Sequence, residues 1–394
     1  MDFNIGSATA ILGFFFTLGL LYAVLIWLQS NRFNHPPSKY LSLFLVLCSA
    51  YITPFMLGYQ GWYAKDGYRE FLFFVPFQQL FLIGPVIYVY VKSLLEGPKS
   101  IDKKDGLHFV PALLYLGYSL FIFVFDVFVY DEYYYYADGR DKDLANWYQI
   151  GGLASICIYL FLSLKIYFSY KKRIFNELAY ADLVIFDWIR QFLIALLIIV
   201  GIRFLFLLLL PNFGQFGQWF YYYLLFSLVF CFIAFSGYSH TITLHSIYRG
   251  NTLKDLITKQ NTSATPYSAK ESVPADKNAL TELMARDRSY TDPTLTLTDL
   301  ADQLGMTSKQ TSALINKEFK QNFNDFINTY RVEEVKRRLE AGEGEQFTIL
   351  SIAMDCGFNS KTTFNRVFKR LSGETPGQFK SRIKINKLHT SAKS

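Results

Sequence analysis

The chain has 394 residues, of which 52% are hydrophobic and 18% charged, with 39 Phe, 28 Tyr and a formal net charge of +7. That balance excludes an ordinary soluble protein along the whole length and leaves room for two or three domains. The averages conceal a division. Residues 1–240 hold long apolar runs with few charges, whereas 241–394 have soluble composition and a basic end. From Lys361 onward nine Lys/Arg stand against Glu374 alone.

The opening MDFNIGS lacks the basic stretch of a cleavable signal peptide, so the first apolar run is expected to be retained. Crossing a bilayer takes about 20 apolar residues. Seven candidate spans follow: about 8–28, 40–60, 72–95, 108–130, 147–168, 189–210 and 218–238. The second contains Pro54 and the fourth contains Asp126, which makes these two the weakest. Buried helices of a soluble protein rarely run this long without a polar face.

Basic residues in the connecting loops set the expected orientation. Arg32, Lys39, Lys99, Lys103, Lys104 and Lys171–Arg173 fall on one side. On the other side Lys65, Arg69, Arg140 and Lys142 are mixed with seven acidic residues. The first side is therefore cytoplasmic, with the N-terminus outside and the C-terminus inside a bacterial inner membrane. Trp27 and Trp188 fall at expected inner span ends, and Trp62, Trp147 and Trp219 at outer ends, as indole rings favour both headgroup layers. Tyr133–Tyr136 and Tyr221–Tyr223 extend the outer aromatic belt.

Polar groups inside a span are costly and mark function by default. Arg203 lies in the outer half of the sixth span, Asp126 near the outer end of the fourth, and Gln78 and Gln79 beside Pro76 in the third. Gln149 opens the fifth. These groups, Gln149 included, share one layer of the outer half, with Gln78, Gln79, Asp126 and Arg203 as its candidate ligand-sensing residues and Arg203 meeting an anionic ligand or Asp126. An outward-reaching or purely architectural Arg203 is the competing reading.

Residues 241–278 form a juxtamembrane segment and linker, and Asn261–Pro274 have the Ser, Thr, Lys and Pro content of a flexible tether. Beyond it the apolar period becomes helical. Thr298 is a candidate N-cap for a helix through Gln303, Gly305 turns the chain, and Thr307 or Ser308 caps a second helix to about Phe319. Leu300, Ala301 and Leu304 face Leu314, Ile315 and Phe319, a helix-turn-helix pattern over about 298–319. A linking helix over about 322–341 follows. The arrangement then repeats over about 349–370: Ile349–Asp355 as first helix, a turn at Gly357, Phe358 in the core and Ser360 as cap. Phe364, Val367 and Phe368 point inward.

These residues resemble the C-terminal signature of the AraC/XylS family of transcription regulators. Its pattern is met by Ile352, Ala353, Gly357, Phe358, Ser360, Phe364, Arg366, Phe368, Lys369, Gly373, Thr375 and Pro376. Leu300, Ala301, Leu304, Leu314, Asn316, Phe323, Ile327, Asn328, Arg331 and Leu339 match the first unit. Val335 and Lys380 depart from it, where Ala and Arg are usual. The resemblance covers about 280–382 within a DNA-binding domain of 279–385, followed by a basic tail at 386–394.

It implies two recognition helices in successive major-groove faces of double-stranded DNA. Lys309, Gln310 and Ser312 are the expected readers of the first helix, and Ser360, Lys361, Thr362 and Asn365 belong to the second site. Arg366 and Lys369 are expected to hold phosphates. The fold class is thus all-α: a seven-helix transmembrane bundle plus an AraC-type domain with two helix-turn-helix units.

Function follows as a one-component regulator that senses an unknown small-molecule or envelope signal. Its partners are double-stranded DNA, the lipid bilayer, RNA polymerase and a second copy of the chain. Its signal is expected to pass through the last span and the linker. Activation versus repression stays open. Two alternatives stand beside it: a membrane-anchored DNA-binding protein without sensing, and a transporter or enzyme with a regulatory tail. His35, His108, His240, His245 and His389 are scattered, and the four Cys include no CxxC. No catalytic set, metal site, disulfide framework or cofactor is expected.

Overall fold

The computed structural model describes residues 6–130, 134–136, 141–181, 187–209, 216–249 and 277–391. The chain forms two compact units, residues 1–168 with 187–253, and residues 169–186 with 254–394. Both are helical. The tether expected at Asn261–Pro274 lies outside the described residues.

The first unit contains α1 (Ser7–Phe33), α2 (Pro36–Tyr59), α3 (Asp66–Phe74), α4 (Leu80–Leu95) and α5 (Val110–Val124). The greater part of α6 (Asn146–Glu177) follows, with α7 (Asp187–Leu209) and α8 (Phe216–Arg249). Asn34 closes α1 in the left-handed conformation and Pro36 opens α2, so the two pair as a tight hairpin. Small residues let the helices approach closely. A Cβ on Gly19 would lie 2.4 Å from the Phe230 ring and 2.5 Å from Ser49 Oγ, so the α1 backbone packs directly on side chains of α8 and α2 there. Large apolar side chains cover the outside, including Phe14, Leu113, Leu114, Phe161 and Leu208.

Among the described residues, six helical segments are long and apolar enough to cross a membrane: Ser7–Phe33, Pro36–Tyr59, Lys103–Val129, Asn146–Glu177, Asp187–Leu209 and Trp219–Ile242. The expected third span is not one helix. It is broken between α3 and α4, leaving 16 residues in α4. Pro76 cannot donate a helical hydrogen bond. The freed Gln78 N–H instead donates to Asp143 Oδ2 at 2.8 Å, and Leu80 N–H to the Tyr148 hydroxyl at 3.1 Å. Pro54, by contrast, is carried inside α2.

The aromatic belt also needs correction. Trp27 and Trp147 are exposed, but Trp188 and Trp219 are buried. Trp188 donates its indole N–H to the Tyr90 hydroxyl at 2.6 Å, and Trp219 lies against Arg203. Of Tyr221–Tyr223, only Tyr221 faces outward. Trp188, Tyr222 and Tyr223 found hydrogen-bond partners inside the bundle and the Trp219 ring a cation, which outweighed the headgroup preference.

The second unit contains α9 (Lys277–Asp287), α10 (Leu297–Leu304), α11 (Ser308–Phe319), α12 (Phe323–Glu340), α13 (Ile349–Asp355), α14 (Lys361–Ser372) and α15 (Pro376–Ser391). The cap of α10 is Thr296 and not Thr298: its hydroxyl accepts from Asp299 N–H while the Asp299 carboxylate accepts from Thr296 N–H. Asp299, one residue beyond Thr298, supplies the return bond, and so selects the earlier cap. Helix α12 serves two cores. Phe323, Phe326 and Ile327 pack with Leu280, Leu300 and Ile315, whereas Val332, Val335 and Leu339 pack with Ile352, Phe364 and Phe368.

Candidate nucleic-acid interface and intrabundle polar site

Each helix-turn-helix is built by a glycine turn followed by a capped helix. Gly305 (φ 67°) ends α10 in the left-handed region, and Met306 N–H reaches back to Ala301 O at 2.9 Å. Thr307 then caps α11 reciprocally with Gln310. Gly357 (φ 94°) makes the second turn, and the Ser360 hydroxyl caps α14 by accepting from Thr363 N–H at 3.1 Å. A Cβ at Gly357 would meet Tyr290 O at 2.5 Å, so only glycine lets the second turn pack on the stretch before α10.

The expected DNA readers divide by what they already do. Lys309, Lys361, Thr362, Asn365, Arg366 and Lys369 are exposed at the starts and outer faces of α11 and α14. Gln310 is exposed but engaged, its carboxamide oxygen accepting from Thr307 N–H at 3.0 Å and from Thr307 Oγ1 at 2.8 Å. Ser312 is half-buried and accepts from Asn316 Nδ2 at 3.3 Å. Ser360 is half-buried in its cap. Asn316, part of the family pattern and exposed one turn after Ser312, shares the outward face of α11.

Arg331 organises the interior of this unit. It is 2% exposed and donates to Tyr290 O and Asp292 O, each at 2.7 Å. Burial pulls its guanidinium down to about 10, so it stays charged at neutral pH. Carbonyl oxygens offset the cost of burying that charge. The Phe358 ring lies 5.9 Å from the same guanidinium, which ties α12 to the second helix-turn-helix.

Within the first unit the structure brings Gln78 and Arg203 together and leaves Asp126 and Gln79 elsewhere. Arg203 Nη2 donates to Gln149 Oε1 at 2.5 Å. Gln149 Nε2 donates to Gln78 Oε1 and to Asp143 O, both at 2.6 Å. Gln78 Nε2 continues to Tyr51 O and the Tyr223 hydroxyl. The guanidinium also lies 4.8 Å from the Trp219 ring and 4.9 Å from the Tyr222 ring. A cavity of about 50 Å³ opens beside it, lined by Cys48, Tyr51, Gln149, Leu153, Arg203 and Tyr222 among others.

Asp126 instead accepts from the Tyr135 and Tyr136 N–H groups at 3.0 and 3.1 Å, and Gln79 Nε2 donates to Pro76 O at 2.6 Å. Sequence placed Gln149 in the same outer layer but could not separate Gln78 from Gln79, which the break after α3 sends to different partners.

Comparison with known proteins places the second unit. A family model described as a helix-turn-helix domain matches residues 300–382. Uncharacterized HTH-type transcriptional regulators of Staphylococcus aureus strains COL and MSSA476 are 31% identical over 86 residues, or 22% of this chain. The chain spans about 11% of the length of these curated relatives. A solved protein of unknown function from Listeria innocua is 25% identical, covering 28% of this chain and 97% of its own, with a TM-score of 0.24. The matched region is a DNA-binding domain of the helix-turn-helix class. It holds two helix-turn-helix units joined by α12, the arrangement that the AraC/XylS resemblance implies.

Proposed function

We propose that the protein is a membrane-embedded one-component transcriptional regulator. The observation that carries this reading is the union, in one chain, of long apolar helices clad in exposed apolar side chains with a double helix-turn-helix domain. The loop charges favour a cytoplasmic C-terminal domain, in reach of DNA and RNA polymerase. Lys309, Lys361, Thr362 and Asn365 are the candidate base readers, and Arg366 and Lys369 the phosphate holders. Gln310, Ser312 and Ser360 first serve their own helix and reach DNA only from that position. A second copy of the chain fits paired operator sites.

The sensing site is the Arg203–Gln149–Gln78 network with its cavity. A ligand there shifts the protein only by binding two of its states unequally. The arginine and the two amides favour a small anionic or carbonyl-bearing group.

Genome-wide DNA occupancy of the intact tagged protein, beside Arg366→Ala, tests the reading. Discrete peaks that the substitution abolishes are expected. Identical scattered background for both chains under all growth conditions would overturn it.

A further inference from the structure

The segment between α6 and α7 is, in chain order, a loop joining two apolar helices. Residues 169–186 nonetheless belong to the same compact unit as 254–394. Leu178, Ala179, Tyr180 and Ala181 are all buried, between 0% and 7% exposed. Resting on the regulator reading above, we propose that the DNA-binding unit contains a groove for an extended peptide. Its occupant is this connector, through which the state of the apolar bundle reaches the first helix-turn-helix.

The contacts are those of peptide recognition through the backbone. Leu178 pairs antiparallel with Thr296, and Ala179 N–H donates to Leu295 O at 3.1 Å. The Asn324 side-chain amide donates to Leu178 O at 3.2 Å and to Ala179 O at 2.9 Å. Asn328 Nδ2 holds Asn324 Oδ1 at 3.0 Å, which aims the amide at the connector. Arg331 Nη1 adds a bond to Ala179 O at 3.2 Å. The small Ala179 side chain joins the core of Leu280, Met284, Leu295 and Phe323.

The placement decides what this docking controls. Thr296 is the residue that caps α10, so the connector grips the start of the first helix-turn-helix. Arg331 touches the connector, the Tyr290–Asp292 stretch and the Phe358 ring of the second helix-turn-helix. Lys309, Lys361 and Asn365 stay exposed with the connector in place. The docked arrangement is therefore the DNA-competent one, and release of the connector loosens it.

Slack distinguishes this route from the other covalent one. Helix α6 ends at Glu177, immediately before Leu178, so a turn or shift of α6 is delivered to the groove without an intervening loop. The route through residues 250–276 runs along a stretch with the composition of a flexible tether.

The test uses the full chain in lipid nanodiscs. Paired residues of antiparallel strands have Cα atoms about 4.5–5.5 Å apart, within disulfide reach. Leu178→Cys with Thr296→Cys should therefore cross-link under mild oxidation, whereas neither single variant should. Ala179→Asp places a carboxylate in the core and should eject the connector. Asn324→Leu removes both amide bonds while keeping a side chain of similar size.

DNA fragments recovered in the occupancy experiment serve as the probe. Both undocking variants should bind them more weakly by about tenfold, within the usual span of coupling between sites. The oxidised cysteine pair should bind at least as tightly as its reduced form. Absence of the cross-link would overturn the groove. A cross-link accompanied by affinities within about twofold of wild type for both undocking variants would overturn the coupling. A wild-type chain that holds no DNA would count against the regulator reading, and a cross-link in the double variant would still support the groove.

Discussion

Gly357 and Arg331 are in close contact: a Cβ added to the glycine would lie 2.9 Å from Arg331 Nε. The same Cβ would lie 2.5 Å from Tyr290 O, the carbonyl that Arg331 Nε holds at 2.7 Å. Turn, guanidinium and carbonyl form one joint between the two helix-turn-helix units. Gly357→Ala combines a positive φ with this clash. It should destabilise the DNA-binding unit by about 2 kcal/mol or more. Chemical denaturation followed through that unit measures it, and a loss below about 0.5 kcal/mol would contradict the joint.

The Arg203 guanidinium is held by Gln149 and by two aromatic rings. Arg203→Lys keeps the charge but cannot match the planar stacking. Arg203→Ala removes both and should cost about 2 kcal/mol or more, since hydrogen bonds to charged groups and desolvated cation–π contacts each contribute at that scale. Melting of the solubilised chain should rank wild type above Lys above Ala. Equal melting of Lys and wild type would show that charge alone matters there.

Lys361 and Lys369 should separate reading from holding. Lys361→Ala should change which sites are preferred. Lys369→Ala should weaken all sites alike and lower the salt dependence of binding by about one unit of slope. Competition binding on a panel of sequences at several salt concentrations checks both, and a uniform effect of both substitutions would reverse the assignment.

Acid should favour the loop that carries Asp143. Burial pushes its carboxyl up to about 6, against the hydrogen bonds from Tyr115 and the Gln78 N–H. Asp141 is also raised, by burial and then by the Asp143 charge. An unfolded Asp releases its proton near about 3.9. Between the two values the folded chain binds more protons, so stability is lost as pH rises through this window and stays lost above it. Lowering the pH from about 7.5 to about 5.5 should therefore stabilise wild type relative to Asp143→Asn. A melting-temperature difference that is flat or shrinks would exclude the effect.

The double helix-turn-helix was legible because its signals are local. Gly305, Thr307, Gly357 and Ser360 specify their turns and caps within a few residues, and the helix Ile349–Asp355 has the bounds its apolar spacing implies. The apolar runs were equally plain, since length and hydropathy alone reveal them. What sequence could not show depends on residues far apart. The break before Gln78 is satisfied by Asp143 and Tyr148, 65 and 70 positions away. Trp188 and Trp219 looked like headgroup anchors until Tyr90 and Arg203 supplied partners inside. Leu178–Ala181 have no motif at all, because their contacts are made by backbone groups that every residue carries.

Helix α12 has one further consequence. Its first half is locked into one core by Phe326 and Ile327, and its second half into the other by Val335 and Leu339. It is thus a ruler between the two recognition helices. Each inserted residue would lengthen that ruler by about 1.5 Å and swing one reading head about 100° around the rod relative to the other. On the regulator reading proposed above, the spacing of the two groove segments is written into the residue count of α12, so operators for this chain should vary in bases far more readily than in length.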